Sequence, residues 1–261
     1  MSSAEFEFGL WFSALPLLLV AATLTWLLSL PLRNVGLAEP LWSLMLFAAG
    51  VVYALGSDPR APRISTVLWL CALWAVRLAW HLALRNAGNG ESRRLAEMRV
   101  GHQPHFAFKS LYLVFWRGAF TAWIVSLPLM GAFASIKPAG WLDYCGMVLW
   151  LTGFLFEAGA DWQLKRFTSN PANNDAVLDR GFWRFTRHPN YFGESCIWWA
   201  FFLFALSAGA WWALPAPLLV TWLLLRAAGV RPFGRGGGNR RPQYADYVLK
   251  TNAFFPALPR E

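Results

Sequence analysis

Seven apolar stretches dominate this chain, at roughly 9–31, 38–57, 65–84, 110–134, 140–160, 191–208 and 210–229. An α-helix needs about 20 such residues to cross the hydrocarbon core of a bilayer. In lipid, backbone N–H and C=O groups must be satisfied within helices or closed barrels, and runs of this length select helices. The expected fold class is all-α: a polytopic membrane protein with about seven transmembrane helices in one bundle, residues 1–261 forming a single domain. Composition agrees. The 261 residues are 57% hydrophobic and 14% charged, well below the roughly 25% charged of soluble domains. Many of the 17 tryptophans sit near stretch ends, where indoles anchor helices at the interface.

The first stretch follows MSSAEFEFG, which has two glutamates and no basic residue, so a cleavable signal peptide is not expected. The ending PALPRE offers no cysteine for lipidation. Cys71, Cys145 and Cys196 all fall inside apolar stretches without metal-ligand spacing and read as packing residues.

The net charge of +9 would suggest nucleic acid in a soluble protein. Here the cations fall between stretches, as orientation signals do. They concentrate at Arg85, Arg93, Arg94, Arg99 and Lys109; at Lys165, Arg166, Arg180, Arg184 and Arg187; and at Arg231, Arg235, Arg240, Arg241 and Lys250. Seven crossings put all three clusters on one side with the C-terminus, which is then cytoplasmic, the N-terminus lying outside; Arg60 and Arg63 oppose this. GRGGGN at 234–239 follows no strand, so it reads as a loop and not a phosphate-binding turn.

Ionisable groups inside spans are costly, so each suggests function. Arg77, His81 and Arg85 recur every four residues along the third stretch, a cationic stripe expected to face the interior and meet an anion. Glu39, followed by Pro40 at the start of the second stretch, suits a first-turn helix position and is expected at the interface opposite the basic clusters. Glu157 and Asp161 share a helical face. They can receive a ribose, an amide or arginines, or form an interfacial charge pair with Lys165 or Arg166.

The densest polar motif is RFTRHPNYFGES, residues 184–195. Arg184, Arg187 and His188 suit phosphate recognition. Pro189 holds His188 extended, and Asn190, Tyr191 and Glu194 open the sixth stretch, with Trp198 one turn beyond Glu194. Arginines alone would be explained by topology. HPNYFGE is not, whereas a phosphate-bearing cofactor meeting a helix N-terminus accounts for it.

RGFWRFTRHPNYFGE resembles the C-terminal signature of the DUF1295 branch of the steroid 5α-reductase superfamily. HLALRNAGNGESRR, FEAGADWQLKRF with NPANN, and YADYVLKTNAFFP resemble its other landmarks, in order, over most of the chain. The RHPxYxG pattern also recurs in isoprenylcysteine carboxyl methyltransferases and related membrane enzymes. The resemblance implies a seven-helix bundle holding NADPH on its cytoplasmic side, largely through residues about 140–261. Hydride would pass to an activated carbon–carbon double bond of a lipophilic substrate such as a steroid enone. By motif position it assigns cofactor binding to Asp161, Asn190 and Glu194, with Arg184, Arg187, His188 and Tyr191 as neighbours. Trp198 lines the site, and Arg77, His81 and Tyr247 match further cofactor positions. Glu39 matches one member of the substrate-activating pair. Trp74 stands where a tyrosine is expected; an indole donates a hydrogen bond but is not a proton donor at neutral pH. Ala176 replaces a common basic residue.

The alternative is an S-adenosylmethionine-dependent methyltransferase of a lipid or prenylated acid. It needs no proton donor but does not call for so many arginines. A transporter is disfavoured by the lack of internal repeats. The expected partners are the bilayer and a lipophilic small molecule, with no nucleic acid, and the Ala/Arg/Trp-rich composition points to a bacterial inner membrane.

Overall fold

The computed structural model describes residues 4–174, 176–227 and 242–259. Among them every regular element is helical and none is a strand. Four helices are long and apolar enough to cross a membrane: Phe8–Leu32, Val35–Gly56, Arg63–Ala87 and Phe106–Phe133. The chain divides into two compact units, Met1–Leu142 with Phe204–Ala216, and Asp143–Leu203 with Pro217–Glu261.

Unit 1 begins with α1 (Phe8–Leu32). Arg33 turns the chain with a positive φ of 48°, and Asn34 Oδ1 accepts from Gly36 N at 2.8 Å, opening the 3₁₀ turn that leads into α2 (Ala38–Gly56). On α2, Ser43, Leu46, Ala49, Gly50 and Tyr53 are buried at three- and four-residue spacing; α3 (Arg63–Asn89) buries Val67, Cys71, Trp74, Ala75 and Leu78. Ser43 Oγ donates across this hairpin to Ala75 O at 3.0 Å. The outward faces are equally apolar. Leu17, Val20, Leu24, Leu27 and Leu28 of α1, and Trp69, Leu73, Val76 and Trp80 of α3, are 45 to 76% exposed. In water such a surface would associate; in a bilayer it is what acyl chains cover.

A short helix, α4 (Arg93–Gly101), follows α3. The fourth apolar stretch then differs from the single helix its composition predicts. It runs as α5 (Phe106–Ser110), a π-helical segment at Leu111–Trp116, α6 (Arg117–Val125) and α7 (Leu127–Phe133). The break at Ser126 has a cause. Pro128 cannot donate a backbone bond and crowds the carbonyl one turn back. Ser126 Oγ instead bonds Tyr53 Oη at 2.9 Å in the core. Two indoles tie α1 to α6: Trp11 and Trp123 stack at 3.8 Å and donate to each other's backbone carbonyls at 3.3 and 2.8 Å. At the other end of α3 the buried Arg63 donates to Lys137 O, Pro138 O and Ser207 Oγ, fastening the loop after α7.

Unit 2 holds most of α8 (Trp141–Thr168), α9 (Pro189–Ser207) and α10 (Pro215–Ala227), together with α11 (Pro242–Lys250); the end of α9 from Phe204 and the first two residues of α10 belong to unit 1. Thr221 Oγ1 of α10 accepts from Trp199 Nε1 at 3.1 Å and meets Ser195 Oγ at 3.0 Å. The seventh apolar stretch is a 3₁₀ turn at Trp211–Ala213 followed by α10 of 13 residues, not one continuous span over its described part. Pro215 starts the second piece, as proline does at a helix N-terminus. Residues 228–229 and the GRGGGN segment lie outside the described residues.

Candidate functional site

In unit 2 the buried face of α8 carries Gly153, Glu157, Ala160 and Asp161. Both carboxylates are withdrawn from the surface, at 2 and 6% exposure; they are not a solvated interfacial pair. Backbone proximity puts them beside α9. A Cβ on Gly193 would lie 2.5 Å from both Glu157 N and Gly153 O, and one on Gly153 would lie 2.6 Å from Gly193 O. Only hydrogen fits at either point, the small-residue contact by which membrane helices approach closely. The approach lets Asn190 Nδ2 donate to Asp161 Oδ1 at 3.2 Å. Glu194 and Trp198 follow Asn190 at four-residue intervals on the same face of α9. Trp198 is fully buried, edge-on to Phe201 at 5.4 Å.

The segment before α9 is pinned from two sides. Gly181, at φ 63°, sits against the Gln163 side chain, and Gln163 Oε1 accepts from Phe182 N at 3.0 Å. Trp183 Nε1 donates to Ala160 O at 3.2 Å. From the other side, residues 247–257 close over it. Tyr247 Oη donates to Trp183 O at 2.6 Å, Thr186 Oγ1 to Phe254 O at 2.9 Å, Arg187 N to Asn252 O at 2.8 Å, and Ala257 N to Phe185 O at 3.0 Å. Burial raises the Tyr247 phenol above its ordinary range, with Tyr244 adding to the effect.

His188 Nδ1 lies 2.8 Å from Ala253 O. A carbonyl only accepts, so the proton sits on Nδ1 and Nε2 presents its lone pair. Burial pushes the His188 pKa down, the Ala253 bond opposes this, and the charge of Arg187 adds to the lowering. The ring stacks on Tyr191 at 5.6 Å, 6° from parallel. Among the described residues Arg187 Nε is buried without a hydrogen-bond partner, a donor on a permanent cation that asks for an anion. Arg184 is exposed.

In unit 1 Trp74 is fully buried, edge-on to Trp42 at 6.3 Å. Arg77 and His81 follow on α3, both half-buried. Glu39 is not at the interface opposite the basic clusters. Its Oε2 accepts from Arg85 Nη2 at 2.5 Å and Asn86 Nδ2 at 3.0 Å. An antiparallel hairpin necessarily puts the start of α2 beside the end of α3. Glu39 thus binds at the level of Arg85, eleven residues past Trp74 and about 16 Å along the helix axis.

Asn86, Glu91 and Arg99 extend this network; sequence reading counted Arg99 only among the basic orientation signals and gave Asn86 and Glu91 no individual role. Asn86 Nδ2 also reaches Gly36 O at 3.0 Å; Glu91 Oε1 accepts from Val35 N at 2.8 Å and pairs with Arg99. Burial alone would raise the Glu91 pKa, but the bonds from Arg99 and Val35 and the Arg99 charge together hold it below the usual range. The Gly153–Gly193 contact and the carbonyls of Asn252, Ala253 and Phe254 were likewise not anticipated, backbone groups leaving little local signal. A cavity of about 450 Å³ in unit 1, lined by Glu7, Leu10, Asp58, Phe133, Lys137 and Trp212 among others, includes none of the residues assigned from sequence. Among the described residues no group of three His, Cys, Asp or Glu side chains could hold a metal ion.

The sequence model of the family described as "protein of unknown function (DUF1295)" matches residues 25–251. An uncharacterized protein of Schizosaccharomyces pombe is 23% identical over 273 residues, covering 92% of this chain and 77% of that protein. No solved structure matches.

Proposed function

The chain belongs to the DUF1295 family, and from that premise we propose that it is a membrane oxidoreductase transferring hydride from NADPH to an activated carbon–carbon double bond of a lipophilic substrate. The observation that carries the proposal is the α8–α9 polar cluster. Asp161 is buried and bonded to Asn190, and three residues before Asn190 stands Arg187, whose Nε is buried without a partner among the described residues. That donor set fits a dinucleotide. Arg187, with Arg184 nearby in sequence, takes phosphate. Asp161, Asn190 and Glu194 take hydroxyl or amide groups. His188 Nε2 accepts from a ribose hydroxyl, Tyr191 covers the imidazole, and Trp198 supplies an apolar wall. Tyr247 acts through Trp183, holding the motif in shape. Bound NADPH would supply the hydride; the chain supplies placement and dryness.

On α3, Arg77 and His81 are assigned to the cofactor and Trp74 to hydrogen-bonding the substrate carbonyl. Glu39 is assigned a positioning role through Arg85 and Asn86. The topology that goes with this function has seven crossings, the N-terminus outside, and the cofactor residues facing the cytoplasm of a bacterial inner membrane, in keeping with the basic loops.

The test is thermal stability of the purified protein with NADPH, NADH or S-adenosylmethionine, since a ligand that binds only the folded state raises apparent stability. The expected result is a rise with NADPH, smaller with NADH and lost in Arg187→Ala. A rise with S-adenosylmethionine alone would replace the reductase by a methyltransferase.

A further inference from the structure

The cavity of about 450 Å³ in unit 1 lies where α1 begins and α2 and α7 end, and every residue lining it belongs to that unit. Gly56 on its wall is seventeen residues along α2 from Glu39, about 25 Å. The cavity is therefore at the opposite end of the α2–α3 hairpin from the Glu39–Arg85 pair. Part of its lining is apolar: Leu10, Met130, Phe133 and Trp212. At the same end of the unit Phe8, Leu55 and Trp211 are 61, 83 and 64% exposed, side chains of the kind that sit where a bilayer meets water.

The rest of the lining is charged. Ala4 N donates to Gly209 O at 3.2 Å and Trp212 Nε1 to Ala4 O at 3.0 Å, which pins the segment before α1 against the turn before α10. Phe6 packs edge-on against Trp11 at 5.6 Å and Trp212 at 4.9 Å. Residues two apart in an extended chain share a side, so Glu5 and Glu7, on either side of Phe6, both reach the cavity wall. Neither side chain has an ion-pair or hydrogen-bond partner among the described residues. Asp58 also lines the cavity, held by Arg60 at 2.7 Å, and Lys137 adds one ammonium, which leaves the wall net acidic. Among the described residues no three carboxylate, His or Cys side chains could hold a metal ion, so these carboxylates are spread along the wall and do not converge on a point.

We infer that this cavity binds an amphipathic organic cation, its ammonium group set against Glu5 and Glu7 and its apolar body along Leu10, Met130, Phe133 and Trp212. The volume falls within the range of small-molecule sites, about 300–1,000 Å³. An ammonium makes charge-assisted hydrogen bonds to carboxylates and is drawn to indole and phenyl faces; an anion would meet net negative charge. The cation can arrive as a soluble amine or as the headgroup of a membrane lipid. The site shares no residue with the α8–α9 cluster and does not rest on the NADPH reading.

The experiment measures thermal unfolding of the full chain in dodecyl maltoside, whose headgroup is uncharged, with octylammonium chloride, sodium octanoate or phosphatidylethanolamine added. Octylammonium should raise the unfolding temperature and octanoate should not, since a ligand of the folded state raises apparent stability. A rise with phosphatidylethanolamine assigns the site to a lipid headgroup, and a rise with octylammonium alone to a soluble amine. In either case Glu5→Gln and Glu7→Gln each weaken the response about threefold in ligand concentration, and the double variant about tenfold. Both glutamates are exposed, so these variants fold. Glu97→Gln, on α4 at the other end of the unit, responds as wild type does. The inference is overturned if neither cation raises the unfolding temperature, if octanoate matches octylammonium, if the double variant responds as wild type does, or if Glu97→Gln loses as much as the double variant.

Discussion

Adding one methyl group at Gly193 tests the geometry on which the candidate site depends. In Gly193→Ala the new carbon would fall 2.5 Å from Glu157 N, 2.5 Å from Gly153 O and 2.9 Å from Glu157 Cβ. Two of these obstacles are backbone atoms of α8, which no rotamer change removes. Restoring ordinary contact requires α9 to draw back by about 1 Å. The Asn190–Asp161 bond, already 3.2 Å long, then passes out of hydrogen-bonding range. Overpacking typically costs about 1–3 kcal/mol, and with backbone on the far side the expected cost is about 2–3 kcal/mol. For a chain of this size that lowers Tm by roughly 4–12 °C. The assay is thermal unfolding in detergent, with Gly9→Ala as control because a Cβ there meets no atom of the described residues within 4 Å. The NADPH-induced rise should shrink along with Tm. If Gly193→Ala unfolds within about a degree of wild type and keeps its cofactor response, the close-approach argument is wrong.

Two further outcomes follow from the segment before α9. His188 has a lowered pKa in the folded chain, so below about pH 6.5 the unfolded chain takes up its proton more readily. Stability is therefore full above that pH and falls as the medium is acidified toward the folded-state value. A Tm series from pH 8 to pH 5 should show the decline in wild type and a flatter profile in His188→Gln. Glu91 is also held below its ordinary range, but its loss begins only near pH 4.3, beneath this window. Tyr247→Phe deletes the donor to Trp183 O while keeping the ring, and should cost about 1 kcal/mol. An unchanged Tm would mean that the tail is held by its other bonds alone.

The first three spans were legible to within a few residues because each is a long apolar run bounded by polar turns. The fourth was legible as apolar but not as broken: the Ser126–Tyr53 bond joins positions 73 residues apart, beyond the reach of any local pattern. α4 and α11 were overlooked because nine residues of mixed polarity stand out in neither hydropathy nor periodicity. Asp161 and Asn190 were named from sequence and do meet. Gly193, inside the same motif, reads on paper as part of the chemistry, and its contribution is to let two helices touch. Glu39 was assigned to the wrong end although antiparallel counting gives the right one. The carbonyls that grip Thr186, Arg187 and His188 belong to backbone that any residue could supply, so side-chain identity carried no notice of them.

The grip of residues 247–257 on this motif also imposes an order on biosynthesis. Thr186 leaves the ribosome 68 residues before the Phe254 carbonyl it bonds, and α9 and α10 are made in between. The RFTRHP segment must therefore wait, these hydrogen bonds unmade, until chain that follows every apolar helix described here has been made. A nascent chain stalled after α10 would hold its spans but not this clasp. Protease sensitivity confined to residues near 184–188 would be the mark of such an intermediate.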